Sequence, residues 1–192
     1  MPGRGLARQL PNALSTLRLF AVPLLFWLAL AQRETAFASV LIAALLSDIA
    51  DGWIARRFSL ETPAGAFLDT VADSALLLVS VFGIWVFHRE VLTQHALICA
   101  TAVGLWTLEN VLALIRYRRL SSFHTILAKV TANLLGLFIG VLFVVGFQPW
   151  MLWLAAGASI LTSLEEIALL AVLPDWRRDV RGLWWVLRER AR

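Results

Sequence analysis

Residues 48–73 decide the reading: Asp48-Ile-Ala-Asp51-Gly52-Trp-Ile-Ala55-Arg56, eight further residues, then Gly65-Ala-Phe-Leu-Asp69-Thr-Val-Ala-Asp73. Two pairs of carboxylates stand here inside apolar runs. Asp48 and Asp51 are three apart and Asp69 and Asp73 four apart, so on helices each pair lies on one face. A carboxylate at the centre of a membrane helix costs ~2.5–3.5 kcal/mol on insertion scales, and pairing or cation binding removes most of that. With no lysine between them, the two pairs form a set of oxygen donors suited to hard divalent cations. On residue chemistry alone, an enzyme site and a proton relay or cation pathway fit equally.

The surrounding chain is strongly apolar. Of its 192 residues 60% are hydrophobic, with a mean hydropathy of +0.77, against about 45–50% apolar in an ordinary soluble domain. It therefore reads as an all-α integral membrane protein of one domain, residues 1–192. The net charge of +4 and the pI near 10.5 raise nucleic acid as a partner. The basic residues, however, are spread between hydrophobic segments rather than gathered on one face, which favours the membrane and excludes nucleic acid. Cys99 is the only cysteine, so there is neither a disulfide framework nor zinc-site spacing.

Hydropathy predicts six transmembrane helices, at residues 10–31, 36–55, 64–87, 91–115, 123–147 and 150–173. Residues 1–9 form a candidate interfacial helix, and Asn12 after Pro11 is a candidate cap for the first span. Residues 4–31 imitate a signal peptide ending in Ala29-Leu30-Ala31. The length of the apolar segment and Arg18 within it argue instead for a retained helix with a polar inner face. Thr62 and Pro63 open the third span as N-cap and first helical residue. Residues 175–192 read as an amphipathic helix on the membrane, with Trp184, Trp185 and Leu187 opposite arginines.

Six spans put both termini on one side. Of the 17 lysines and arginines, only Arg33 and Arg89 fall on the other side, so the termini and the aspartates face the cytoplasm. Trp27, Trp85, Trp150 and Trp153 sit near the predicted outer ends, as an aromatic belt requires. The two Asp pairs, on consecutive helices joined by a short cytoplasmic link, are expected to meet at one depth. Four carboxylates there repel one another unless cations neutralise them. Two Mg²⁺ or Mn²⁺ ions would do so.

The string D-x2-D-G-x2-A-R-x8-G-x3-D-x3-D resembles the signature of the CDP-alcohol phosphotransferases, and every fixed position is present. The resemblance implies a six-helix, often dimeric fold, metal dependence, and a CDP-linked lipid, CDP-diacylglycerol in the bacterial branch, that donates its phosphatidyl group to an alcohol and releases CMP. A homodimer in a bacterial inner membrane is the corresponding expectation. Asp48, Asp51 and Asp69 resemble the principal metal ligands. Asp73 resembles the residue that takes the acceptor proton, and the resemblance also counts it among the metal ligands. Gly52, Ala55, Arg56 and Gly65 resemble the nucleotide and diphosphate cradle. The small residues also suit close helix packing, and Arg56 suits a membrane-edge anchor.

Residues 11–18, Pro-Asn-Ala-Leu-Ser-Thr-Leu-Arg, resemble the opening of phosphatidylglycerophosphate synthases and CDP-diacylglycerol-dependent cardiolipin synthases. That places Asn12 and Arg18 at the mouth of the same cavity, with Asn12 open between ligand and cap. An unpaired arginine two turns into a span is expensive, so Arg18 is expected to bind the acceptor's phosphate or to pair with an acid. Lys129 is the only lysine, and the resemblance implies that it binds the acceptor's phosphate. Arg118 and Arg119 are open between that role and anchoring. Glu109, Glu165 and Glu166 are acids near inner helix ends, expected to pair with arginines. The branch usually reads Asp-Pro-x-Ala-Asp-Lys across the third and fourth acids. Here Thr70 and Ser74 replace the proline and lysine, and Leu108 replaces an arginine before Glu109. The acceptor half of the comparison is weakened and the metal half is not. Glycerol 3-phosphate is the first expected acceptor; inositol phosphate, phosphatidylglycerol, serine and another polyol stay open.

Overall fold

The computed structural model describes residues 3–58, 63–118, 123, 125–174 and 180–190; within its helices, the side chains of 3–15, 48–58, 63–67, 69 and 190 lie outside the description. Among the described residues there is no strand. The helices are α1 (Gly3–Leu30), α2 (Glu34–Phe58), α3 (Pro63–Phe87), α4 (Arg89–Gln94), α5 (Ala96–Tyr117), α6 (Ile126–Val144), α7 (Pro149–Val172) and α8 (Leu183–Arg190).

Their ends follow from local chemistry. Gln32 has φ 56°, and Gln32 N–H and Arg33 N–H donate to the carbonyls of Ala29 and Leu28, which closes α1 in a left-handed cap. Gly146, at φ 104°, closes α6 in the same manner, its N–H donating to Val141. Thr125 caps α6, its hydroxyl accepting from Ala128 N–H at 3.0 Å. Pro63 and Pro149 stand at the first positions of α3 and α7, where a missing N–H costs nothing.

Three sequence expectations are corrected. First, α1 runs unbroken from Gly3 through Pro11 and Asn12, so the described part of the expected helix at 1–9 belongs to α1 and Asn12 is not a cap. An interior proline withdraws one donor without ending this helix. Second, the segment expected at 91–115 is two helices, with His95 at the break. Residues 89–94 are mostly polar, Arg89 lies 4.5 Å over the Trp85 ring, and the His95 ring lies 5.2 Å from that of Phe147. Third, the helix expected over 175–192 is in its described part only the eight residues of α8, preceded by a non-helical segment at 180–182.

The chain divides into two compact units, residues 1–92 and 93–192. In the first, α1 packs against both α2 and α3 around Leu25, Ala29, Phe37, Leu41, Ala72 and Leu76. Phe26 and Phe82 stack at 4.8 Å. The Phe37 ring lies so close to Gly83 that a Cβ there would come within 2.2 Å of it. At the far end His88 approaches Glu34, Nε2 to Oε1 3.3 Å. In the second unit α7 is central, packing on α5, α6 and α8. Its buried face carries small and hydroxylated residues, Ala155, Ala156, Ser159, Thr162 and Ser163, which allow close helix approach. The Thr131 and Thr162 hydroxyls are hydrogen-bonded at 2.7 Å.

Among the described residues four helical stretches are long and apolar enough to cross a membrane: Thr70–Phe87, Ala96–Tyr117, Ile126–Val144 and Pro149–Val172. In α1 and α2 the described apolar stretches, Thr16–Leu30 and Glu34–Ser47, adjoin residues whose side chains lie outside the description. Large apolar side chains point outward along these helices, among them Leu97 at 86%, Ile115 at 74% and Phe20 at 71% exposure. Such a surface suits lipid rather than water. Among its described residues the protein is all-helical, with the apolar helices of a membrane protein.

Candidate active site

The signature lies on α2 and α3. Asp48, Asp51, Gly52, Ala55 and Arg56 fall in the second half of α2, and Gly65, Asp69 and Asp73 in the first half of α3. At 1.5 Å rise per residue, Asp48 lies ~15 Å from the end of α2 and Asp73 ~15 Å from the start of α3; Asp51 and Asp69 lie ~10 Å and ~9 Å along. Measured along each helix, the acids are in register about the α2–α3 link. The side chains of Asp48, Asp51, Gly52, Ala55, Arg56, Gly65 and Asp69 lie outside the described residues, as does that of Asn12. Among the described residues no group of three or more His, Cys, Asp or Glu side chains is placed to hold a metal.

Asp73 is described, and its surroundings are informative. Its side chain is 49% exposed, and its Oδ1 accepts a hydrogen bond from Nη1 of Arg18 on α1. The Arg18 side chain is fully buried. Of the two expectations for Arg18, pairing with an acid is what the structure shows. The contact joins α1 to the signature helix, 55 residues away in sequence. An anion beside it compensates the desolvation of a guanidinium inside apolar helices.

The basic residues of the second unit are disposed differently. Lys129 is exposed in the first turn of α6, its N–H donating to Thr125 and its carbonyl accepting from Asn133 Nδ2 at 2.7 Å. Arg118 ends α5 in the left-handed conformation, exposed, its N–H on Leu114. Arg119 and His124 lie outside the described residues. Arg116 turns to the protein instead: its Nη2 donates to the Leu173 carbonyl at 3.0 Å, beside the Tyr117 hydroxyl at 2.7 Å. The last carbonyls of α7 lack helical partners, and these two donors satisfy one of them. Tyr117 is the only tyrosine in the chain, a signal the sequence reading left unused. Glu109 and Glu166 are buried on α5 and α7. Glu165 accepts from the backbone N–H of Leu183 at 3.1 Å, a role that hydropathy and spacing give no hint of.

An all-helical membrane fold with paired carboxylates on consecutive helices defines the class. The chain belongs to the CDP-alcohol phosphatidyltransferase family, a family of transferases whose model matches residues 8–161. It is 40% identical over 76 residues to a CDP-diacylglycerol–glycerol-3-phosphate 3-phosphatidyltransferase of Pseudomonas fluorescens, covering 38% of this chain and 39% of that one. It is 44% identical over 71 residues to a cardiolipin synthase (CMP-forming) of Oryza sativa subsp. japonica, covering 35% and 22%. To a putative cardiolipin synthase of Mycobacterium tuberculosis it is 32% identical over 105 residues, half of each chain. The chain thus spans half or less of the length of these relatives. No solved structure matches.

Proposed function

We propose that the protein transfers the phosphatidyl group of CDP-diacylglycerol to an alcohol and releases CMP, with glycerol 3-phosphate as the acceptor. The observation that carries this reading is the intact eight-residue signature on the helical backbone of α2 and α3, with Asp73 half-exposed and held by Arg18. The family match and the relatives named for glycerol-3-phosphate transfer support it.

The donor set fits a hard divalent cation. It consists of four carboxylates in register about one link, without thiol or imidazole, and the described one, Asp73, is open to solvent rather than sealed. Asp48, Asp51, Asp69 and Asp73 would hold Mg²⁺ or Mn²⁺, most simply two ions. When bound, the ions supply charge neutralisation and orientation for the diphosphate. In the reaction the bond between the phosphatidyl phosphorus and the bridging diphosphate oxygen breaks, and CMP leaves with that electron pair. A bond forms from the acceptor hydroxyl oxygen to the same phosphorus, and the hydroxyl proton passes to the Asp73 carboxylate. Arg18 fixes the orientation of that carboxylate and balances its charge. Gly52, Ala55 and Gly65 leave room for the nucleotide, with Asn12 and Arg56 on its polar groups. Lys129, with Arg118 and Arg119, binds the acceptor's phosphate.

In this reading all six long helices cross the membrane. The family model begins within α1, and the sequence resemblance also covers α2; among the described residues four helices pass on length and apolarity. The distribution of arginines supports a cytoplasmic site in a bacterial inner membrane. The family resemblance supports a homodimer.

A second acceptor has a specific observation behind it. Thr70, Ser74 and Leu108 depart from the glycerol-3-phosphate branch, and relatives named cardiolipin synthase match as well; phosphatidylglycerol is that acceptor. The test is CMP release from CDP-diacylglycerol by the purified protein across a panel containing glycerol 3-phosphate, phosphatidylglycerol, inositol phosphate and serine. Release with one acceptor, lost on chelation and restored by Mg²⁺ or Mn²⁺, is the expected result. Silence with every acceptor while CDP-diacylglycerol still binds overturns the proposal.

A further inference from the structure

The segment at residues 180–190 is bonded to its unit in a way that the acids of α2 and α3 do not explain. Val180 N–H donates to the Phe123 carbonyl at 3.0 Å, and Ile126 N–H donates to the Arg181 carbonyl at 3.3 Å. These two bonds bracket Thr125, the fully buried cap of α6, whose carbonyl accepts from Lys129 N–H at 3.1 Å. The segment therefore braces the first turn of α6, and Lys129 belongs to that turn.

One side chain anchors the brace. Glu165 of α7 reaches the N-terminus of α8, where its Oε1 accepts from Leu183 N–H at 3.1 Å, a favourable place for a carboxylate. Gly182 makes the approach possible: its φ is 154°, and a Cβ there would lie 2.8 Å from that same oxygen. The second carboxylate oxygen of Glu165 is buried without a hydrogen-bond partner among the described residues. A buried carboxylate oxygen in that state is unfavourable for stability, so the placement points to a task other than stabilising α7. Between anchor and loop, Val180 and Val186 are buried in one cluster with Ala113, Phe123, Leu169 and Leu173. A displacement of α8 is thereby passed to the entrance of α6.

We propose that Glu165 is a positioning residue for acceptor binding. By fixing the start of α8 it holds residues 180–182 against the entrance of α6 and so sets where Lys129 stands. This rests on the reading of Lys129 as a ligand of the acceptor's phosphate. Glu165 itself touches no substrate. A contact between an ammonium and a phosphate weakens when either is misplaced by an ångström, whereas CDP-diacylglycerol binding by α2 and α3 does not depend on this brace.

The test uses the full chain in lipid nanodiscs, with Glu165→Ala, Glu165→Gln, Gly182→Ala and Lys129→Ala beside the unaltered protein. Two quantities are measured: the apparent KM for glycerol 3-phosphate and for CDP-diacylglycerol, and the rate of tryptic cleavage after Arg181. Glu165→Ala and Gly182→Ala loosen the brace from opposite ends, so one remains if the other fails to fold. Each is expected to raise the KM for glycerol 3-phosphate about tenfold, to leave that for CDP-diacylglycerol within about twofold, and to speed cleavage. Glu165→Gln keeps an acceptor oxygen and restores both readouts. Faster cleavage with an unchanged acceptor KM overturns the proposal, as does unchanged cleavage in both loosening variants. If Lys129→Ala leaves the acceptor KM unmoved while Glu165→Ala raises it, the brace stands and the Lys129 assignment falls.

Discussion

A guanidinium buried among apolar helices must find an anion, and Arg18 finds Asp73. The sequence poses the problem, since an arginine two turns into an apolar stretch is too expensive to leave alone. It does not name the partner, which lies 55 residues away. The pairing has consequences for both residues. Asp73→Asn keeps an oxygen for Arg18 but cannot take a proton. Turnover is therefore expected to fall by ~10²–10⁴, the usual worth of a general base, while CDP-diacylglycerol binding persists in an equilibrium binding assay. Equal loss of both would remove Asp73 from the role of base. Arg18→Leu leaves the carboxylate without its partner. Because the guanidinium is sealed, the expected effect is on kcat, about tenfold, with the acceptor KM unmoved. A raised acceptor KM would return Arg18 to the phosphate ligands.

At the scale of elements, hydropathy located each long helix and misjudged several ends. The start of α7 at Pro149 and the start of α3 at Pro63 fall within a residue of expectation, because proline marks a first turn by its missing donor. The start of α1 does not, because the helix runs on through Pro11 and Asn12, although an interior proline withdraws a donor. At the break the His95 ring lies against Phe147 and Trp153, contacts that no local pattern announces. Gly83 makes a similar point within α3. Its neighbours read as an ordinary apolar helix, yet the fully buried ring of Phe37 fills the space a side chain would take. Gly83→Ala forces that ring to move and is expected to destabilise the protein by about 1–3 kcal/mol, the range for an overpacked core. A thermal-melting or denaturant series in detergent micelles measures it, and an unchanged midpoint would mean that the ring relocates freely.

At the scale of the molecule, the proposed chemistry divides into a donor half on α2 and α3 and an acceptor half that includes Lys129. Lys129→Ala is expected to raise the apparent KM for a phosphorylated acceptor by roughly tenfold or more and to leave that for CDP-diacylglycerol nearly unchanged. Steady-state CMP release with each substrate varied in turn decides it, and an unmoved acceptor KM would exclude Lys129 from the phosphate site.

What the sequence determined by itself are the properties carried by composition and spacing. Membrane character follows from 60% apolar residues, and the helical class from the length of the apolar runs. Family membership follows from eight residues at fixed separations, since spacing along a helix survives without knowledge of packing. Tertiary structure alone decided which distant groups meet. It placed Arg18 on Asp73, turned Arg116 and Tyr117 to the carbonyl of Leu173, and set Glu165 at the head of α8. Each of these joins different helices across at least 18 residues of chain. Such contacts depend on how the helices pack and which faces they bring together, and no local periodicity along one helix specifies its neighbour's face.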